Sequence, residues 1–251
     1  MMRFKKLIKK IVPDSIYVFK HKYNFIKNRS QFFKLNSKET FKKIYKEKIW
    51  TPEKYQSKYK FYSGLGSHKK EFVEIYIKKT IKFLKKFKKK PKIVELGCGD
   101  FKVSENLVKY SGSFTACDIY DELIFYNKKK YKNLKVIFKV LDFTKNNIPN
   151  GDICILRCVL QHLSNEMIFK FLKKIKGKFK YLIVTEHCPE NDDFKPNLNI
   201  YTGPDIRLNY NSAVELSESP FFLNYKEKKI LCKISSKLIN GFLKTQIYRL
   251  K

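Results

Sequence analysis

From about residue 91 onward, short apolar runs alternate with amphipathic stretches. The apolar runs fall at 93–96, 114–117, 136–140, 153–156 and 181–184, and segments of helical spacing lie near 102–110, 120–131 and 164–176. Short, largely apolar runs of four or five residues suit strands covered on both faces. Their alternation with helices predicts an α/β fold with a mostly parallel sheet. The tail carries two further strand patterns, roughly 227–233 and 243–250, around a turn containing Asn240-Gly241. They predict an antiparallel pair added to the sheet.

Residues 1 to about 60 have a different pattern, and predict a basic helical extension preceding a domain over 61–251. Phe4, Leu7, Ile8 and Ile11 fall at helical spacing among Lys5, Lys6, Lys9 and Lys10. Such a helix either lies on an anionic membrane surface or packs on its own domain or a second copy. Pro13 ends it. Thr51-Pro52-Glu53 offers an N-cap followed by proline at the first helical position. Ser63-Gly64-Leu65-Gly66-Ser67 is a turn whose Ser67 is placed to cap a helix with Phe72, Ile75, Tyr76 and Ile81 as its apolar stripe. Pro91 stops that helix.

Composition changes this picture little. The net charge is +32, yet only five of the 55 basic residues are Arg, and the Lys are spread along the chain. A nucleic-acid footprint clusters and favours Arg, so a solvated lysine-rich surface is the plainer reading. Attraction to anionic substrates or lipid is the other. The six cysteines form no C-x-x-C pair, which argues against a metal site or disulfide framework. They are expected as small buried hydrophobes in a reducing, cytoplasmic setting. No apolar run approaches the ~18–20 residues of a membrane span, and Lys9 and Lys10 interrupt any signal-peptide core.

The chemistry concentrates at Val94-Glu95-Leu96-Gly97-Cys98-Gly99-Asp100. Two glycines spaced by one residue, between a strand and a helix, let the backbone turn and approach a ligand closely. Asp118 ends the next strand about 20 residues on, the separation at which a carboxylate reaches ribose hydroxyls. A dinucleotide fingerprint needs a third glycine where this chain has Lys102. Glu95 before the first glycine repels a pyrophosphate and suits the sulfonium and amino group of S-adenosyl-L-methionine.

Residues 91–186 resemble the Rossmann-like class I S-adenosylmethionine-dependent methyltransferases. Glu95-x-Gly97-x-Gly99 is similar to their first motif, Asp118 to the ribose acid, and Leu141-Asp142-Phe143 to the segment facing adenine. Cys154 to His162 is similar to the segment leaving the fourth strand. Over about 60–250, the chain is also similar to a bacterial group associated with capsule and surface polysaccharides. The likeness lies in Ser63–Ser67, Cys98-Gly99-Asp100-Phe101, Arg157-Cys158-Val159-Leu160-Gln161-His162-Leu163 and Gly203-Pro204-Asp205-Ile206-Arg207.

The resemblance implies a cofactor site of Ser67, Glu95, Gly97, Cys98, Gly99, Asp118, Ile119, Asp142, Phe143 and Arg157. Phe143 has a plain core role as its alternative. Methyl transfer depends chiefly on aligning donor and acceptor. A hydroxyl acceptor gains roughly 10²–10⁴-fold from a base near neutral pH, for which His162 is the first candidate and His187 the second. Arg207, with Asp205 orienting it, is expected to hold an anionic acceptor, unless the two form a structural ion pair. The favoured acceptor is a small sugar-like or phosphorylated molecule, a capsular phosphoramidate precursor being one example. The alternatives are an RNA or protein methyltransferase, for which no recognition module is evident, and a non-catalytic membrane-surface scaffold. The oligomeric state stays open.

Overall fold

The computed structural model describes residues 30–251 except 192 and 236–240. The amphipathic segment Phe4–Ile11 and the turn residue Asn240 lie outside the described residues. The fold is a seven-stranded sheet in the order β3-β2-β1-β4-β5-β7-β6. Its parallel part is β1 (Lys92–Leu96), β2 (Ser113–Asp118), β3 (Val136–Val140), β4 (Ile153–Arg157) and β5 (Tyr181–Cys188). β6 (Glu227–Ser235) and β7 (Phe242–Arg249) complete it as an antiparallel pair, with β7 against β5. This is the predicted architecture.

The strand residues sort by parity. Ile93, Ile155 and Ile183 enter one core with Phe72, Tyr76 and Phe101. Val94, Leu96, Cys154, Leu156, Leu182 and Val184 enter the other with Phe171 and Leu216. Each of the two central strands is therefore apolar almost throughout, because both faces are covered. Glu95 and Arg157 occupy positions that parity assigns to the first face. They are charged residues in a row of isoleucines, which marks the carboxyl end of these strands as something other than core. The chain reverses its winding between β1 and β4, and ligands bind at such a switch point.

Helix α1 (Ser37–Lys46) starts at a capping box, in which Asn36 accepts from the Glu39 amide and Glu39 from the Asn36 amide. A short α2 (Leu65–His68) leads into α3 (Lys70–Leu84), and α4 (Asp121–Lys130) and α5 (Asn165–Ile175) cover the sheet. Three expectations change here. Ser67 lies inside α2 and does not cap α3, whose N-cap is Lys69 without a side-chain bond. The buried stripe of α3 is Phe72, Tyr76, Thr80 and Leu84, while Ile75 is exposed. Thr51-Pro52 starts only a single 3-10 turn, Glu53–Tyr55, with no side-chain cap. Ser164 caps α5, accepting from the Met167 amide. Cys98, Cys117, Cys154, Cys188 and Cys232 are buried free thiols. Among the described residues no helix is long and apolar enough to cross a membrane.

Candidate active site

A cleft of about 390 Å³ opens over the carboxyl ends of β1, β2 and β4, within the size range of small-molecule sites. Its floor is the loop after β1. Gly97 and Gly99 have φ of +73° and +55°, which favour glycine. Space requires glycine as well: a Cβ on Gly97 would stand 2.6 Å from Val159 Cγ2, and one on Gly99 2.3 Å from Ser63 Oγ. The amides of Gly97 and Cys98 both donate to the Cys117 carbonyl, at 2.8 and 2.9 Å. Asp118 Oδ2 accepts from the Gly99 amide at 3.0 Å, and its Oδ1 from the Tyr120 amide at 3.3 Å. Asp118 is thus pinned across the loop at the cleft wall, and burial raises its carboxyl above the usual range.

Glu95 is buried beneath this loop. Its Oε1 accepts from Ser104 Oγ at 2.5 Å, while its Oε2 has no partner. Burial pushes its carboxyl up to about 8. Arg157 lies across from it over the Tyr76 ring, donating to Ser67 Oγ at 3.1 Å and the Gly66 carbonyl at 2.5 Å. Its Nε is buried without a partner. An orphaned carboxylate oxygen and an orphaned guanidinium N–H beside a glycine cradle fit a zwitterionic ligand, as the ammonium and carboxylate of a methionyl group are.

A strap closes this end. Ser63 Oγ accepts from the Asp100 amide at 2.8 Å, and the Tyr45 hydroxyl lies 3.2 Å from it. His68 Nε2 sits 2.5 Å from Asp100 Oδ2 in a buried pair stacked on Tyr62. The strap belongs to the expected domain, but the roof comes from residues expected to be a separate extension. α1 and the turn after it place Phe41, Tyr45 and Trp50 on the cleft. Tyr45 stacks on Tyr120, and Trp50 packs 4.7 Å from the His162 ring and donates to the Pro204 carbonyl at 3.3 Å. Residues 37–68 are therefore part of the site.

The remaining expected residues fall into three groups. Ile119 and Asp142 line the cleft, and Asp142 Oδ1 also accepts from the Thr144 amide and hydroxyl, at 3.0 and 2.6 Å. Phe143 reaches the cleft wall but is mostly core, edge-on to Phe171 at 5.5 Å. Cys98 is buried, which pushes its thiol well up.

Arg207 is a correction. It is fully buried and spends its donors on the Leu198, Leu160 and Leu163 carbonyls and Asn165 Oδ1, at 2.7–2.9 Å. It does not line the cleft and holds no acceptor; it ties the 198–207 loop to the end of β4. Asp205 does not orient it. Its carboxylate accepts from the Tyr201 hydroxyl, and its carbonyl lies 3.1 Å from His162 Nδ1.

His162 and His187 both line the cleft, bridged by Gln161. Nδ1 of His162 faces Asp205 O and its Nε2 faces Gln161 Nε2 at 3.2 Å, so both ring nitrogens are engaged. A base needs a free lone pair, which the first candidate lacks. His187 Nδ1 lies 2.7 Å from Gln161 Oε1, and no hydrogen bond among the described residues takes its Nε2. Burial pushes His162 down to about 4 and His187 to about 3. Gln161 is the residue that sequence reasoning left without a role, although it stands next to the candidate histidine.

Comparisons with known proteins bear on the fold. Residues 94–180 match the family model described as a methyltransferase domain. No curated protein sequence matches the chain. Among solved structures, the N-methyltransferase NodS from Bradyrhizobium japonicum WM9, in complex with S-adenosyl-L-homocysteine, is similar at 11% identity. That match covers 74% of this chain and 91% of NodS, with a TM-score of 0.55. The PH0226 protein from Pyrococcus horikoshii OT3 is similar at 16% identity, over 74% of this chain and 93% of its own, with a TM-score of 0.51. TehB from Haemophilus influenzae is similar at 20% identity over 68% of this chain, with a TM-score of 0.46, and the chain spans 62% of TehB. The protein has the Rossmann-like class I methyltransferase fold.

Proposed function

We propose that the protein is an S-adenosyl-L-methionine-dependent methyltransferase that methylates a hydroxyl of a small, neutral, sugar-like acceptor. The observation that carries the reading is the pair of buried orphans, Glu95 Oε2 and Arg157 Nε, beside the Gly97–Gly99 cradle. When bound, S-adenosylmethionine supplies a methyl group already activated by its sulfonium. Glu95 and Arg157 would take its amino and carboxylate groups, Asp118 its ribose, and Ile119, Leu141 and Asp142 would flank the adenine. NodS, of the same fold, carries the demethylated form of this cofactor.

The neutral acceptor follows from what lines the other end. Phe41, Trp50, Met167, Pro204 and Ile206 make it largely apolar and aromatic. Among the described residues the cations on the cleft are Lys102 and Arg157, and Arg157 is tied to the strap. A sugar ring presents apolar C–H faces to such walls and hydroxyls to Asn209 and the histidines. A phosphorylated acceptor loses its support with the burial of Arg207. A place in capsule or surface-glycan synthesis rests on the resemblance of the strap and Arg157–Leu163 segments.

Isothermal titration with S-adenosylmethionine and its demethylated product tests the first step, and absence of binding at millimolar ligand ends the proposal. Comparing surface glycans by mass, with and without the gene, tests the acceptor. A 14-dalton loss from a neutral sugar unit is expected, and its appearance on RNA or protein would redirect the reading.

A further inference from the structure

We propose that Gln161 is a positioning residue that fixes both site histidines as Nδ1–H tautomers, leaving Nε2 of His187 as the proton acceptor of the cleft. This rests on the hydroxyl-methylating reading above.

The assignment follows from donors that have no choice. The backbone N–H of His187 donates to Gln161 Oε1 at 3.1 Å. A backbone amide can only donate, so the oxygen of the Gln161 side chain must face it and the amide cannot be turned over. His187 Nδ1 lies 2.7 Å from the same oxygen, which accepts only, so Nδ1 carries the proton. The other end of the amide is then an N–H donor, aimed at His162 Nε2 at 3.2 Å. That nitrogen must be bare, and the His162 proton sits on Nδ1. An independent contact agrees: Nδ1 faces the Asp205 carbonyl at 3.1 Å, which also only accepts. The orientations therefore run in one direction, from Asp205 through His162 and Gln161 to His187.

The chain of bonds ends at a lone pair. His187 closes β5, lines the cleft and lies under the strap, where a Cβ on Gly66 would touch its Cε1 at 3.8 Å. Burial keeps both rings neutral, so Nε2 is bare at physiological pH. A strong base is not needed. As the acceptor oxygen forms its bond to the methyl carbon and the carbon–sulfur bond breaks onto sulfur, the hydroxyl becomes strongly acidic. Its proton passes to Nε2, and the positive charge lost from the sulfonium reappears on the imidazole. Gln161 holds the ring through this step, and Trp50 and the Asp205 carbonyl hold His162, which holds the Gln161 amide.

The chain has four histidines, so nitrogen-15 resonances of their rings can be assigned in the full-length protein at neutral pH with S-adenosylhomocysteine present. Both His162 and His187 are expected to show a protonated Nδ1 and a bare Nε2. Gln161→Leu should release His187 into averaged tautomers and lower kcat on a methyl glycoside by about 10²-fold, with product affinity held within about twofold. Gln161→Glu keeps an acceptor toward His187 and removes the donor to His162. It should preserve the His187 tautomer while His162 gains a proton on Nε2 and keeps the one on Nδ1, as an imidazolium between the new carboxylate and the Asp205 carbonyl. A wild-type His187 carrying its proton on Nε2 overturns the inference, as does an unchanged kcat in Gln161→Leu. If Gln161→Leu loses its fold, Gln161→Glu decides: a changed His187 tautomer there also overturns it. Failure of the wild type to bind S-adenosylhomocysteine would sink the methyltransferase reading and leave the tautomer result standing.

Discussion

The two ends of the cleft are built differently. The floor of the cofactor end is mostly backbone, the loop after β1 with its two left-handed glycines and an aspartate that holds the loop shut by accepting from the Gly99 amide. Of its side chains, Arg157 comes from far along the chain. The acceptor end is side chains brought from far apart: Trp50 from the roof, Gln161 and His162 after β4, His187 at the end of β5, and Ile206 from the long loop. A backbone site is encoded locally, because glycine spacing and a nearby carboxylate specify it within about 25 residues. A side-chain site is encoded by topology, since its members meet only after the sheet has formed.

Arg207 gives the sharpest way to break that comparison. If it belongs to the scaffold of the acceptor end and not to the acceptor, Arg207→Met should strand the Leu198 and Leu163 carbonyls and the Asn165 oxygen, while the Leu160 carbonyl keeps the Leu163 amide. Each buried acceptor left unpaired costs about 1–3 kcal/mol, so a loss of about 3–5 kcal/mol overall is expected. For a chain of this size that lowers Tm by roughly 10 °C, measurable by calorimetry. Near-normal stability with a large rise in KM would restore the anion-holding role.

The glycine loop should be nearly as sensitive, in binding and not in folding. Gly99→Ala places its methyl group against Ser63 Oγ in a left-handed backbone. The strap cannot seat without moving, and product affinity by titration should fall about 100-fold, equivalent to about 2.7 kcal/mol. Adding Ser63→Gly removes the contact and should recover part of the loss. An identical loss in single and double variants would mean that backbone strain alone matters there.

These contrasts explain what was legible. The seven strands, Glu95, Gly97, Gly99 and Asp118 could be read because periodicity and spacing are local properties, and the structure brings the four residues together. Arg207 looked functional because it is rare and charged, but rarity says nothing about where a guanidinium points. Residues 37–60 looked like an extension because their pattern is helical and basic, whereas the Asn36–Glu39 capping box and Trp50 direct the segment onto the cleft. Gln161 stood in a segment of family resemblance but with no role to read, since its role exists only where β4 and β5 lie side by side.

Trp50 tests the acceptor end on its own. Trp50→Ala removes the indole packed on His162 and on the Pro204 carbonyl. An aromatic contact of this kind contributes about 0.5–1.5 kcal/mol beyond its buried area. KM for a sugar acceptor should therefore rise about tenfold, with product affinity unchanged. Equal losses at both ends would show that the roof serves the whole cleft.

The smallest effect tests the cofactor end through protons. Glu95 is held near 8 by burial, well above its ordinary 4.5, so in the free protein at pH 7 it is mostly protonated. An ammonium seated at its unpartnered Oε2 favours the carboxylate, and its pKa falls on binding. Binding then releases close to one proton at pH 7. By linkage, affinity for the ammonium-bearing ligand rises with pH while the free protein is still protonated, and levels off above the free-state value. The expected gain is about fivefold between pH 7 and 8, with little more beyond 9. Titration in buffers of different ionisation enthalpy reads the proton directly. Glu95→Gln should abolish both the proton and the slope, although the amide still fills the space beneath the loop. A pH-dependent affinity that survives Glu95→Gln would assign the proton to another group, and Glu95 would then be only a partner for Ser104.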